Sequence, residues 1–144
     1  MDKIIIRAVS VNDADEICTI SSEDLGYPCD LSLVREKIGN INSDREAVFA
    51  ALADDIVVGY IHVEKYDVLY FETMANILGL AVKASYQRNG IGKKLVLAAE
   101  NWAIENNIKL MRLNSGISRT AAHDFYRHLG YDSDKGQLRF TKKL

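Results

Sequence analysis

The sequence is poor in cysteine. Its 144 residues include two, Cys18 and Cys29, which form no CxxC motif and have no histidine at the spacing of a metal site. Cysteines used this sparingly are typical of proteins kept reduced, so we expect two free thiols, buried or half-buried, and a cytoplasmic location. Neither a disulfide framework nor a metal site is predicted.

Proline is rarer still, and segments of low complexity are absent. The single proline is Pro28, and no stretch rich in proline, glycine or serine separates two parts of the chain. Since a domain usually holds roughly 100–200 residues, we expect residues 1–144 to form one domain. A chain of this length can bury a hydrophobic core without crosslinks.

An excess of positive charge is also absent. The 18 lysines and arginines face 20 aspartates and glutamates, which gives a net charge of -2. This balance excludes a broad basic face that binds phosphate backbones, so no nucleic-acid partner is expected. The apolar run from Ile4 to Ile6 is far too short to cross a membrane, and no membrane partner is expected.

Apolar residues change their period along the chain, which predicts several strands and helices. Asp54-Asp55 between two β-rich runs predicts a hairpin turn, and helix caps are expected at Asn12 or Asp13 and at Asp30. Three strands in succession before the longest helix favour a mixed sheet covered on both faces. The predicted strands are Lys3–Val9, Glu46–Ala53, Ile56–Glu64, Met74–Lys83, Lys109–Asn114 and two final segments, about Tyr131 and Leu138–Thr141. Four helices are predicted. The first runs from the cap at Asn12 or Asp13 to about Leu25, the second from the cap at Asp30 to Ile41, and the last two cover Gly90–Asn107 and Ser118–Leu129.

The most informative segment is a loop with two glycines, Gly90 and Gly92, between an apolar strand and the longest helix. The first backbone N–H groups of a helix lack partners within it and carry partial positive charge, so an anion can bind there where no side chain blocks its approach. Arg88, Lys93 and Lys94 add positive charge. A tight connection without a ligand is the alternative.

Two nucleotide-binding patterns fail at this loop. A Walker loop needs glycine where Gln87 stands and serine or threonine where Lys94 stands. A dinucleotide fingerprint needs a third glycine, where the chain has Leu95. The phosphate that the loop would hold is therefore of another kind.

The pattern Gln87-x-x-Gly90-x-Gly92, together with the order of strands and helices, resembles the GCN5-related N-acetyltransferase (GNAT) family. The resemblance implies an α/β fold in the order β-α-α-β-β-β-α-β-α-β-β, with a mostly antiparallel sheet between helices. It also implies that the loop binds the pyrophosphate of acetyl-CoA, and that the preceding strand pairs with pantetheine and offers an N–H to the oxyanion. The cofactor-binding residues implied are Leu80, Ala81, Val82, Gln87, Arg88, Asn89, Gly90, Ile91, Gly92, Lys93 and Asn114.

A second motif follows the predicted short strand. Ala122, Phe125, Tyr126, Gly130 and Tyr131 match the pattern Ala-x-x-(Phe/Tyr)-Tyr-x-x-x-Gly-(Phe/Tyr) of the same family. The resemblance makes Tyr126 the catalytic acid that protonates the departing thiolate, which a phenol can do at modest cost. A core tyrosine is the alternative for Tyr126. For Asn114, the resemblance implies a contact with pantetheine or the acetyl group. The alternative interpretation is that Asn114 is a turn residue whose side chain bonds to the local backbone.

The general base is the least defined part of the site. An amine must lose a proton before it attacks a thioester. Histone-acetyltransferase-like relatives have a glutamate where this chain has Asn76, which cannot act as a base. Glu72, Glu64, His62 and an ordered water are the alternatives.

The activity expected from the resemblance is transfer of the acetyl group of acetyl-CoA to a primary amine of a small molecule, a peptide or a protein. No metal is expected. The competing hypothesis is a non-catalytic module that binds or senses acyl-CoA. The acceptor, the use of another acyl group and the formation of a homodimer are not fixed by the sequence.

Overall fold

The computed structural model describes residues 3–133 and 135–144. Within them the chain forms two compact units, one that ends at Leu113 and one from Asn114 to Leu144. Each unit is described by itself, and the single domain expected over residues 1–144 remains a prediction.

The first unit is built on a five-stranded sheet in the order β1-β2-β3-β4-β5. The first four strands pair antiparallel, and β5 pairs parallel with β4. This mixed, mostly antiparallel sheet with helices confirms the predicted fold class. The strands are β1 Ile4–Ala8, β2 Glu46–Ala53, β3 Ile56–Val68, β4 Phe71–Val82 and β5 Met111–Leu113, and the helices are α1 Ala14–Asp24, α2 Leu31–Gly39 and α3 Ile91–Glu105.

Helices cover both faces of this sheet. The face under α1 and α2, here called the first face, holds a core cluster to which α1 contributes Ile17 and Ile20 and β4 contributes Ala81. On the opposite face, α3 packs so closely that a Cβ on Gly59 would lie 3.3 Å from Leu95 and 2.9 Å from the Ala81 carbonyl oxygen. Alternate residues of β3 therefore divide between the faces. Ile61 and Val63 are fully buried, whereas Tyr60, His62 and Glu64 are half-buried.

A buried carboxylate fixes the start of α1. Both oxygens of Asp13 accept hydrogen bonds from Arg7 on β1, at 2.7 and 3.0 Å, and one also accepts from the Ser10 N–H. The hydrogen bond from Arg7 holds the pKa of Asp13 below its usual range, against the opposing effect of burial. Ser10 in turn caps the short 3-10 turn Val11–Asp13 that precedes the helix. Asp13 thus occupies the N-cap position of α1 that the sequence predicts, but its side chain makes no cap hydrogen bond to that helix.

The two cysteines are joined, and the prediction of free thiols is wrong. Cys18 on α1 and Cys29 form a disulfide with their Cα atoms 5.5 Å apart. The chain reverses after α1 through Gly26, whose φ of 74° is in the left-handed region, and so returns alongside the helix. Local spacing did not reveal this return. The cysteines thus give no support to a reducing compartment, and the cytoplasmic location remains a prediction.

Strands β3 and β4 are longer than expected. The segment Tyr66–Tyr70, predicted to be a loop, is mostly strand because Tyr66 pairs with Met74 and Val68 with Phe71. The predicted turn at Asp54-Asp55 is confirmed, with φ values of 48° and 71°. The predicted cap at Asp30 is confirmed as well, since its side chain accepts a hydrogen bond from the Leu33 N–H at the start of α2.

The described residues of the second unit form one helix, α4 Thr120–His128. Shortly after its end, Gly130 has a left-handed φ of 95°. The two final predicted strands, about Tyr131 and over Leu138–Thr141, do not form in the part of this unit that the structure describes. Leu138 and Phe140 are instead more than four-fifths exposed. An alternating pattern becomes a strand only when another strand pairs with it, and none pairs here.

No helix among the described residues is both long enough and apolar enough to span a membrane.

We expect Asp13→Asn to lower the free energy of unfolding by about 1.5–3 kcal/mol, because the variant weakens charged hydrogen bonds to a buried group. The folded-state pKa of Asp13 lies below its unfolded value of about 4, so this stabilisation is present above that pH and is lost as the pH falls through the folded value. Urea unfolding at pH 7 and near pH 3 measures both effects.

The matched control is Asp15→Asn, which removes an exposed carboxylate 3.6 Å from Arg35. Such a surface pair should contribute no more than about 1 kcal/mol. Equal losses in the two variants at pH 7 would contradict the role given to Asp13.

Candidate functional site

Strand β4 continues beyond the end of its neighbour β5. Ala75, Asn76 and Ile77 pair with the three residues of β5, whereas β4 extends to Val82. From Leu78 onward, no strand of the described chain pairs with this edge of β4. The sheet therefore has an opening along the second half of one of its central strands.

A β-bulge marks the start of the opening. Across the β3–β4 pair, Val63 is opposite Ile77 and His62 is opposite Gly79, so Leu78 is an extra residue on β4. Bulges bend a strand and redirect its groups, and they are frequent next to active sites. The side chain of Leu78 is about half exposed.

The hydrogen-bond pattern shows which backbone groups face the opening. The Lys83 N–H donates to the Val58 carbonyl at 2.7 Å, which makes these residues a hydrogen-bonded pair. Since such pairs alternate along antiparallel strands, Ala81 also bonds to β3, whereas Leu80 and Val82 direct their N–H and C=O groups away from it. Of the three predicted backbone contacts on β4, two can thus reach a ligand at the opening through the main chain.

The glycine loop adjoins the end of β4. Gln87 donates from its side-chain nitrogen to the Val82 carbonyl at 2.9 Å, which ties the loop to the open edge. Gly90 caps α3 in the left-handed region at a φ of 76°, and a Cβ there would meet no atom within 4 Å. The approach to the first N–H groups of α3 is therefore clear.

Other predicted loop residues divide by exposure. Arg88, Asn89 and Lys93 are exposed, and Arg88 has a left-handed φ of 69°. Ile91 is buried with 1% of its surface exposed, so it can offer a ligand only its backbone. The first turn of α3 contains no acidic side chain that would compete for an anion.

The carboxylate of Asp24 connects α1 to the turn that leads into the loop. The Ala84 N–H donates to this carboxylate, and the Asp24 Oδ2 atom is buried without a hydrogen-bond partner among the described residues. Burial raises the pKa of Asp24, with a smaller contribution from the charge of Glu23.

A polar strip runs across the first face beside the bulge, formed by Glu46, His62, Glu64, Asn76 and Arg112. Asn76 donates to Glu64 at 3.1 Å and accepts from Arg112 at 2.8 Å. The guanidinium of Arg112 lies 4.2 Å from the ring centre of Tyr66. The other oxygen of Glu64 faces Arg45 at 3.7 Å. Asn76 is thus a buried connector between a carboxylate and a guanidinium.

His62 pairs with Glu46 of β2, with 2.7 Å between Nε2 and Oε1. Although burial by itself raises the pKa of Glu46, its hydrogen bonds with His62 and the Asn42 N–H hold that pKa below its usual range. Glu46 and Arg112 were missed by the sequence analysis. Their partners lie on other strands, and only the alternation of His62 and Glu64 along β3 hinted at this strip.

The remaining predicted base, Glu72, is exposed near the start of β4. Glu72 lies six positions before the bulge residue Leu78 and four before Asn76, so it is further from the opening than Glu64, which is opposite Asn76, or His62, which is opposite Gly79.

In the second unit, Tyr126 lies among aromatic rings. Its ring centre is 5.2 Å from that of Phe125 and 6.0 Å from that of Tyr131, both in edge-on contact. Burial raises the pKa of Tyr126, and the charge of Arg119 offsets part of this effect. The hydroxyl therefore holds its proton at neutral pH, as a proton donor must. Asn114 is exposed and directly follows β5.

A comparison with curated proteins finds one N-acetyltransferase. The chain is 27% identical over 141 residues to an aminoalkylphosphonate N-acetyltransferase of Salmonella typhimurium strain LT2, covering 96% of this chain and 90% of the relative.

Solved structures share the fold. A protein described as a transcriptional regulator from Bacillus halodurans C-125 superposes with a TM-score of 0.86 at 20% identity, covering 97% of this chain and all of its own. The aminoglycoside N-acetyltransferase AAC(6')-Iy, in complex with CoA, has a TM-score of 0.86 at 17% identity, covering 100% of this chain and 97% of its own.

The family model described as "Acetyltransferase (GNAT) family" matches residues 14–131, which include the open edge of β4, the glycine loop and Tyr126. The chain therefore belongs to the acetyltransferase (GNAT) family and is an N-acetyltransferase enzyme.

Proposed function

We propose that this enzyme transfers the acetyl group of acetyl-CoA directly to a primary amine. The observation that carries the proposal is that a helix N-terminus with no side-chain cap, at Gly90, lies next to an open strand edge that begins at Leu78. Acetyl-CoA supplies an activated acetyl thioester at the end of a long, amide-containing arm with phosphates behind it. The helix N-terminus suits the phosphates of such a molecule, and the open strand edge suits its amide-containing arm.

The glycine loop suits the pyrophosphate. The N–H groups at the start of α3 have no partners within the helix, and the first intrahelical bond runs from the Lys94 N–H to the Gly90 carbonyl. A helix N-terminus carries partial positive charge, to which the exposed Arg88 and Lys93 add. Since no atom fills the space where a Cβ would stand on Gly90, an anion can approach the backbone closely.

The open edge of β4 suits pantetheine. An extended arm with amide groups can pair with a strand edge as an added strand would. The outward N–H and C=O groups of Leu80 and the N–H of Val82 are the groups it would meet, because Gln87 occupies the Val82 carbonyl. The same N–H groups are candidates for the oxyanion of the tetrahedral intermediate.

The acceptor is an amine of unknown identity. One relative is named for aminoalkylphosphonates and another for aminoglycosides, and both classes carry primary amines. A panel of these compounds with polyamines, amino acids and short peptides, followed by release of free thiol from acetyl-CoA, tests the proposal. Thiol release with an amine supports it. Acetyl-CoA binding without thiol release for any amine would instead favour the non-catalytic acyl-CoA-binding module.

The loop assignment predicts a loss of cofactor affinity in Lys93→Glu. The side chain is exposed, and a negative charge in the first turn favours the helix, so the fold should keep its stability. Repulsion of the pyrophosphate should weaken acetyl-CoA binding at least about tenfold, which corresponds to 1.4 kcal/mol. Isothermal calorimetry measures the affinity.

Lys109→Glu is the matched control, since it reverses the charge of another exposed lysine in the same unit. Its acetyl-CoA affinity should change less than about twofold. Gly90 is a poorer target because its left-handed φ strains any substitution. Unchanged affinity in Lys93→Glu would argue against this loop as the anion site.

Tyr126 is proposed as the acid that protonates the thiolate, on the basis of its place in the family motif. Tyr126→Phe keeps the ring and its aromatic contacts and removes the hydroxyl alone. We expect kcat to fall by about 10²–10⁴-fold with a nearly constant KM for acetyl-CoA. Steady-state kinetics together with the melting temperature separate this role from a purely structural one.

Tyr131→Phe is the control, since it removes a hydroxyl from the ring next to Tyr126. Its kcat should stay within a factor of about two or three of the wild type. A lower melting temperature with full kcat in Tyr126→Phe would assign this tyrosine to the core.

A further inference from the structure

We propose that His62, oriented by Glu46, is the general base, and that the acceptor amine lies in the gap over Gly79. This inference rests on the proposed function and names the residues that act on its acceptor. Three observations carry it: a histidine bound through one ring nitrogen, a glycine opposite it, and a competing carboxylate whose oxygens are both engaged.

The pairing with Glu46 leaves one nitrogen of His62 able to accept a proton. An ionised carboxylate can only accept hydrogen bonds, so the Nε2 atom of a neutral His62 must carry the hydrogen that Glu46 receives. The Nδ1 atom then has a lone pair, and it has no partner among the described residues. This is the arrangement of a base whose second nitrogen is held by an acid, which also stabilises the imidazolium that forms.

Gly79 leaves space next to this ring. It is opposite His62 across the β3–β4 pair and directly follows the bulge residue Leu78. A Cβ on Gly79 would lie 3.9 Å from the Tyr60 ring and hydroxyl, so the gap is bounded by Tyr60 on one side. Tyr60 is itself held by a 2.7 Å hydrogen bond with Ser21 of α1. An amine in this gap would lie beside Leu80, whose N–H faces the open edge.

Glu64 is less suited to the role of base. One of its oxygens accepts a hydrogen bond from Asn76 and the other faces Arg45, so both oxygens already have a partner. Arg112, held against Asn76, adds a second positive charge to this end of the polar strip. A cationic amine would meet two guanidinium groups there, but near His62 it meets the carboxylate of Glu46.

The ionisable groups nearest His62 along the sheet lie on β2 and on β3 itself. Glu46 lies on β2, and Tyr60 and Glu64 lie two residues to either side of His62 on the same face of β3. Across from it, β4 presents Gly79, which has no side chain. The carboxylate of Glu46 favours binding of an ammonium ion, and the imidazole then removes its proton.

The proposed reaction begins with removal of a proton from the acceptor by His62. One proton of the ammonium passes to Nδ1 of His62, directly or through one water, and leaves a neutral amine. The amine nitrogen attacks the thioester carbon of acetyl-CoA, the new C–N bond forms, and the C–S bond breaks. The amide nitrogen releases its extra proton to solvent, and the thiolate takes up a proton to give free CoA. The imidazolium of His62 then releases its proton to solvent, which restores the base.

Activity is tested first with the amine that gives the fastest thiol release in the wild type. His62→Ala should lower kcat/KM for this amine by about 10²–10⁴-fold, with acetyl-CoA affinity unchanged by calorimetry. Added imidazole should restore part of the rate, because it replaces the missing base in the space left by the side chain. A near-wild-type rate, or a loss that imidazole does not reverse while the protein stays folded, would overturn the assignment.

Glu46 is a positioning residue, and Glu46→Gln tests it. An amide can present its NH₂ to the ring and favour the wrong tautomer, so kcat should fall by about tenfold or more with little change in KM. Gly79→Val should instead raise KM for the amine by filling the gap, with acetyl-CoA affinity retained. The matched control is His123→Ala, since His123 is also bound through Nε2, to the Gly116 carbonyl. It should keep wild-type rates and gain nothing from imidazole.

A second measurement does not depend on activity. The ¹⁵N NMR spectrum of the neutral imidazole, assigned with His62→Gln, should show hydrogen on Nε2 of His62 in the wild type. Hydrogen on Nδ1 would overturn the proposal even if thiol release is observed. If no amine gives thiol release in the wild type, the proposed function fails, whereas the NMR result still decides whether His62 can accept a proton at Nδ1.

Discussion

The early end of β5 is the constraint on which the site depends. β5 pairs with β4 over three residues only, so β4 is paired on both sides from Ala75 to Ile77 and on one side beyond Ile77. A rigid strand with one open edge can offer backbone groups at fixed positions, which a free loop cannot do. The bulge at Leu78 lies where the support changes, and the glycine loop begins where the open edge ends.

The charges of the first unit follow this division. At one end of the open edge, the helix N-terminus and the exposed Arg88 and Lys93 favour an anion. At the other end, Glu46 makes the first face near His62 favourable to a cation, whereas Arg45 and Arg112 offset the charge of Glu64. A cosubstrate with phosphates and an acceptor with an ammonium group can thus bind at opposite ends of one strand without competing.

Local patterns predicted the parts of this enzyme that depend on local physics. The cap at Asp30 and the turn at Asp54-Asp55 follow from the preferences of single residues. Features set by strand register could not be predicted in the same way. The Cys18–Cys29 disulfide, the lengths of β3 and β4 and the pairing of His62 with Glu46 all depend on which distant residues meet. The predictions of the last two strands were wrong for a related reason, since an alternating sequence does not by itself supply a strand to pair with.

Asn76 illustrates why a departure from a family pattern needs the structure to interpret it. From the sequence, asparagine at this place means a lost carboxylate. In the fold, Asn76 is directly opposite Glu64 and uses its NH₂ and its oxygen to join Glu64 to Arg112. A glutamate here would place two carboxylates side by side in a half-buried site, and repulsion would raise the pKa of one of them. An amide removes that repulsion and holds Glu64 in place by a hydrogen bond. The group that we propose as the base, His62, lies two residues from Glu64 along β3. The neighbouring strand has Gly79 opposite it, and one nitrogen of its ring can accept a proton.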